Sequence, residues 1–400
     1  MSDYKADLFV MIPFTTINNK IIKNGTISNV QTCDEADIFI KQLEKNSKYE
    51  CSDSISSKVN RKFIGAYEFM CISDSSNEEQ IIETENCYLF LTSHENTNLH
   101  IVTIMIIDVK SPVTFVLDQV SREDLIIKVN NQKIKLYDFF INEFNFQVCG
   151  KAKTCISLSD YPNDEKEMLY LAAGEAFGSD EVDFELMSKQ FKSDVSKNIA
   201  QFDFCDIYAS KTNIIQINKR FTEKFCERIY YETLLIFIAE LVIFKELAIH
   251  RTNQKVVREI EKNSKPSLKL IERLSIEFGS TIGLWNISNF RYNAVQCLAK
   301  DIEDSFQISE LMLIYNNNQN YLEHIINIRN IQVSEWEGKI LNFIAIMLTL
   351  IQTIPLILSV FTKISIFKNI KFDWKYGAMG LITILLIILI RKRKMSTLIK

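Results

Sequence analysis

The stretch ILNFIAIMLTLIQTIPLILSVF, Ile340 to Phe361, is about 22 residues long, the length at which one helix crosses a bilayer. Working outward, a second apolar run of about 15 residues, Tyr376 to Ile390, follows a Lys-containing connection, with Trp374 positioned to complete the crossing at the interface. Arg391, Lys392, Arg393 and Lys394 close it. The expected fold is an α+β membrane protein: a cytosolic N-terminal α/β domain, a long helical stalk and two C-terminal transmembrane helices. Its boundaries fall at 1–215 (sensor domain), 216–338 (stalk), 339–361 (first span), 362–375 (external loop), 376–391 (second span) and 392–400 (basic tail).

Basic residues gather on the cytosolic side of spans, so Arg391 to Lys394 predict a cytosolic C-terminus, and two crossings return the N-terminus to the same side. Met1 to Pro13 lacks a basic-apolar-small leader pattern, which agrees with a multi-pass protein of the inner (cytoplasmic) membrane. The external loop would carry Lys363, Lys368 and Lys371.

Upstream, the composition changes near Asn218. Before it, β-rich runs at Leu8 to Pro13, Cys87 to Thr92 and His100 to Ile107 alternate with helical stretches, including Tyr137 to Phe144 after a hairpin across Asn130 and Asn131. After it, Gly and Pro are scarce and long helices are expected, broken near Ser264 to Ser267 and Gly279 to Gly283. The apolar run Ile229 to Ile249 contains Glu232, Glu240, Lys245 and Glu246, too many charges for a third span, and reads as a helix packed inside a cytosolic bundle. A last helix starting near Leu284 has no breaker between Arg291 and Leu350, so stalk and first span read as one rod.

Nine cysteines without a Cys-x-x-Cys pair suit a reducing compartment. His94, His100, His250 and His324 form no ligand pair, so no metal site is expected. The net charge of −4 leaves no basic excess for nucleic acid. No nucleophile or acid/base constellation stands out, and no enzymatic activity is expected. Asp180, Glu181, Asp183 and Glu185 form an acidic group that reads either as a metal-sensing cluster or as a solvated loop.

On a wheel of 100° per residue, Asn342, Ala345, Thr349, Gln352, Thr353 and Ser359 occupy an arc of about 120°, and Glu335 and Gly338 extend it downward. Two readings stay open: a hydrated pore wall, gated by Leu341 and Leu348 at its flanks, or a dry contact between helices.

Lys339-Ile340-Leu341-x-x-Ile344-Ala345, together with Trp374-Lys375-Tyr376-Gly377 and the basic end at Arg391 to Lys394, resembles the membrane module of CorA-type magnesium transporters. The resemblance implies a homopentamer in the lipid bilayer with the first span lining the pore. Where the family carries Gly-Met-Asn, this chain has Ser359-Val360-Phe361, which supplies no ring of side-chain carbonyls to a hydrated Mg2+. The chain is therefore similar to the CorA-like membrane effectors beside type III CRISPR systems, which implies a channel or effector gated by a nucleotide second messenger. A Mg2+ transporter and a membrane-tethered, non-conducting binding protein are the alternatives. No Gly-rich phosphate loop occurs in the first 215 residues. Gly150-Lys151-Ala152-Lys153 and Ser210-Lys211-Thr212-Asn213 are two loop-like places for a phosphate, each equally readable as a solvated surface loop.

Overall fold

In a computed structural model the described residues are 4–16, 34–51, 59–75, 78–94, 97–174, 187–220, 224–261, 276, 279 and 289–363. Strand β1 (Ala6–Thr16) is apolar on both faces, as a central strand covered on both sides must be. Leu8, Val10, Ile12 and Phe14 enter one core while Phe9 and Met11 enter the other. β2 (Val59–Ser75), β3 (Glu78–His94) and β4 (Leu99–Ile106) reach β1 on one side. The hairpin of β5 (Ile126–Val129) and β6 (Gln132–Lys135) extends that side to its edge. Asn130 and Asn131 turn it at φ of 50° and 64°, the left-handed pair that a two-residue hairpin favours.

On the other side of β1 lie β7 (Phe146–Val148) and β8 (Lys153–Leu158), then β11 (Asn213–Asn218), β10 (Cys205–Ala209) and β9 (Asn198–Gln201). All pairings are antiparallel except β8 with β11. The result is one mixed, 11-stranded sheet.

One face is covered by α2 (Val113–Ser121), α3 (Leu136–Phe144), α4 (Glu165–Ala173) and α5 (Lys189–Val195). The other carries α1 (Asp34–Glu50), the 37-residue α6 (Phe225–Glu261) and α7 (Asn293–Ser305). α8 (Ile308–Lys363) is 56 residues long. The chain divides into two units, 1–253 with 277–315, and 254–276 with 316–400.

Three expectations are corrected. The α+β part stands, with a large mixed sheet, but the membrane part of the expected fold does not: among the described residues no helix is long and apolar enough to cross a membrane. Described side chains in the apolar part of α8 run from Ile340 to Thr353, about 21 Å of axis against a hydrocarbon core of roughly 30 Å. Asn342, Thr349, Gln352 and Thr353 interrupt them. The second expected span, the tail, the helix break at Ser264 to Ser267 and, except for the helical Gly279, the break at Gly279 to Gly283 lie outside the described residues. Second, the charged apolar run is not inside a helical bundle. It is the middle of α6, buried against the sheet. Third, the rod starts later than expected: α7 ends at Ser305 and α8 begins at Ile308, with Gln307 between them at φ 58°, and from Ile308 to Lys363 it is one helix.

Candidate functional site

The charges that punctuate α6 are answered one by one from the sheet. Strand residues whose side chains point to the α6 face supply most of the partners, with Asp108 after β4 and Glu303 of α7 beside them. Arg228 binds Asp7 at 2.6 Å and Asp108 at 3.1 Å. Glu240 receives Arg61 at 2.7 Å and the Thr92 hydroxyl at 2.7 Å. Glu246 faces Lys153 at 3.2 Å, and Lys245 holds Glu303 of α7 at 2.7 Å. Glu232 is the exception: neither carboxyl oxygen has a hydrogen-bond partner, and it is buried beside Asp7 and Ser157. Burial, with the Asp7 carboxylate next to it, lifts Glu232 well above the ordinary carboxylate range.

The two loops read as phosphate places come together. β8 and β11 run parallel, so Lys151 to Thr154 and Lys211 to Asn213 enter the sheet side by side, with Thr154 N–H donating to Thr212 O at 2.9 Å. Gly150 makes the entry turn at φ 130°, where a side chain would be strained. Lys151, Thr154 and Thr212 border a small cavity of about 120 Å³ that also takes in Glu123 and Gly174. Lys153 itself is already occupied. Its ammonium donates to Lys211 O at 2.7 Å, pairs with Glu246 and lies 4.5 Å over the Phe306 ring. Desolvation lowers its pKa, opposed by Glu246 and assisted by Lys211 and Lys151. The junction is thus a buried latch with two exposed lysines at its rim, and it touches the residue that closes α7.

The polar arc lies on one continuous helix. Asn342, Ala345, Thr349, Gln352 and Thr353 are exposed in α8, as are Leu341 and Leu348. Both hydroxyls are turned onto their own helix: Thr349 Oγ1 donates to Ala345 O at 2.8 Å and Thr353 Oγ1 to Leu350 O at 3.1 Å. Ser359, Val360, Phe361 and Lys363 are helical, with side chains outside the described ones. Lys368, Lys371, Arg391, Lys392, Arg393, Lys394 and the acidic residues Asp180, Glu181, Asp183 and Glu185 lie outside the described residues.

His94 and His100 are local partners of Thr97 and Ser93, at 2.7 and 2.8 Å. Among the described residues no cluster of His, Cys, Asp and Glu is arranged to hold a metal.

A surface that the sequence reading passed over is a groove of about 480 Å³ lined by Lys41, Glu44, Lys45, Lys48, Tyr49 and Arg291. The lysines recur at four- and three-residue steps on α1, a visible signal. Arg291, more than two hundred residues away, is what no local pattern connects to them. No protein-family model, characterised protein or solved structure matches this chain, so the likeness to CorA proteins rests on the quoted residues alone.

Proposed function

We propose that the chain is a ligand-responsive homo-oligomeric effector: its α+β domain takes a nucleotide-like anion, and α8 joins the copies. The observation that carries this is a seven-residue register on α8. Tyr321, Ile328, Glu335, Asn342 and Thr349 follow one another at steps of seven, and Ile331, Gly338, Ala345 and Gln352 fall three residues after the last four of them. The arc singled out in the sequence is therefore the upper half of a longer seam whose lower half holds Tyr321, Ile328 and Ile331, with His324 three residues after Tyr321. Tyr321, Ile328 and Ile331 are 56, 44 and 59% exposed, an arrangement that water penalises and a second copy would relieve.

A strict seven-residue repeat drifts about 20° per heptad on a straight helix and stays in contact when copies coil left-handedly. Gly338 and Ala345 permit close approach, and Asn342 and Gln352 offer amides to one another across the seam. Exposed Leu341 and Leu348 on one flank and Ile346 and Leu350 on the other widen the apolar surface, which favours more than two copies. The family resemblance implies five.

Native mass spectrometry of the full chain tests assembly. The expected result is an oligomer that Ile328→Lys with Ile331→Lys reduces to monomer; a monomeric parent chain defeats the proposal.

A further inference from the structure

We propose that the groove between α1 and the Phe290 to Tyr292 segment is a nucleotide site, with phosphates against Lys41, Lys45, Lys48 and Arg291 and the base on the Tyr49–Tyr292 ring stack. This names the ligand site of the ligand-responsive reading above and rests on that reading.

Lys41, Lys45 and Lys48 form one stripe covering about 10 Å of helix axis, the length of a short polyphosphate. Among the described residues no ion pair engages any of them, or Arg291. Four cations line the groove against Glu44, with Glu50 beneath Arg291, a local positive excess on a chain of net charge −4.

Beside the cations, Tyr49 and Tyr292 stack with centroids 5.4 Å apart and planes 25° apart. Their hydroxyls are bonded at 2.9 Å, yet they remain 55 and 45% exposed, so an outer ring face stays open. A stacked tyrosine with a free face and adjacent cations is the pairing that a phosphorylated planar ring requires. The groove volume lies within the usual few hundred to a thousand Å³ of small-ligand sites.

The two walls are pinned to each other. Cys51 and Phe290 form an antiparallel bridge, and Arg291 N–H donates to Glu50 O at 2.8 Å. Phe290 packs edge-on against Phe237 of α6, and Gln296 Nε2 donates to Phe290 O at 2.7 Å. Arg291 and Tyr292 are thereby held in place before any ligand arrives, which reduces the ordering cost of binding. Beneath them lies the Glu50 carboxyl, raised by burial and opposed by Arg291.

Isothermal titration of the full-length chain with ATP, inorganic tripolyphosphate and adenosine tests the site. ATP is expected to bind, and Lys45→Glu with Lys48→Glu to weaken it by at least about tenfold. Tyr49→Ala and, separately, Tyr292→Ala are expected to weaken ATP by about tenfold and leave tripolyphosphate unchanged. Binding of ATP that is absent, or equal in parent and lysine variant, overturns the site. Tripolyphosphate matching ATP, or an acidic peptide displacing it equally well, overturns the nucleotide assignment. Native mass spectrometry of the same samples keeps this failure distinct from failure of assembly, because no groove residue lies on α8.

Discussion

Glu232 is the residue at which burial and charge are most at odds. It lies almost wholly inside the molecule beside Asp7, and burial together with that carboxylate raises its own carboxyl. Its folded pKa is raised, so its contribution is fully present below the ordinary carboxylate range and is lost as the pH rises toward the folded value. Replacing it by Gln removes the ionisation while keeping the size and polarity of the side chain. Urea unfolding of Glu232→Gln between about pH 5 and pH 8 should lose up to about 1.4 kcal/mol per pH unit of the parent's decline. An unaltered pH profile would mean that Glu232 ionises freely in the fold. His100 has the opposite sign. Desolvation lowers it to about 4, and its ring stacks on Phe146 at 4.7 Å. Stability from a neutral imidazole is present above its ordinary value and is lost as the pH falls toward 4. An NMR titration of the ring should find its midpoint near 4; a midpoint above 6 would place the ring in water.

At the scale of elements, α6 is held to the sheet by matched charges as well as by apolar burial. Arg61 and Glu240 have side chains 4 and 1% exposed, so removing one partner strands the other without water. Arg61→Met should cost about 3–5 kcal/mol, and the double variant with Glu240→Leu should recover most of it. Denaturant melts of both single variants and the double variant measure this, and a double variant no better than Arg61→Met would show the pair uncoupled. The same helix explains what the sequence conceals. β1, β3 and β4 were legible because short apolar runs bounded by polar residues report burial directly, and the Asn130-Asn131 turn was legible because both residues tolerate positive φ. In α6 the run Ile229 to Ile249 betrays burial, but not against what. Its charges point to partners such as Asp7 and Arg61, more than 170 residues away. The elbow at Gln307 carries no Gly, Pro or Asn, so a rod was the natural expectation. Of the candidate site, the lysine stripe on α1 was legible and its fourth cation was not.

For the whole molecule, assembly and folding should separate along the chain. The first unit ends at Tyr315, whose ring is buried, and every seam residue named on α8, from Tyr321 to Gln352, follows it. The sheet, its two cores and the groove are built from residues that precede Asn316. A chain ended at Tyr315 should therefore keep the unfolding transition of the α+β domain and its ATP binding while losing oligomerisation. Sedimentation velocity and thermal unfolding, run on the shortened and full chains together, measure both. Among the described residues a dense run of exposed apolar side chains, Ile328, Ile331, Trp336, Leu341, Phe343 and Ile346 among it, departs with the removed segment. The shortened form should consequently be the more soluble of the two. A shortened chain that still associates would move the interface onto the domain and leave the heptad register without a role. One that no longer folds would show that the α+β domain needs residues beyond Tyr315.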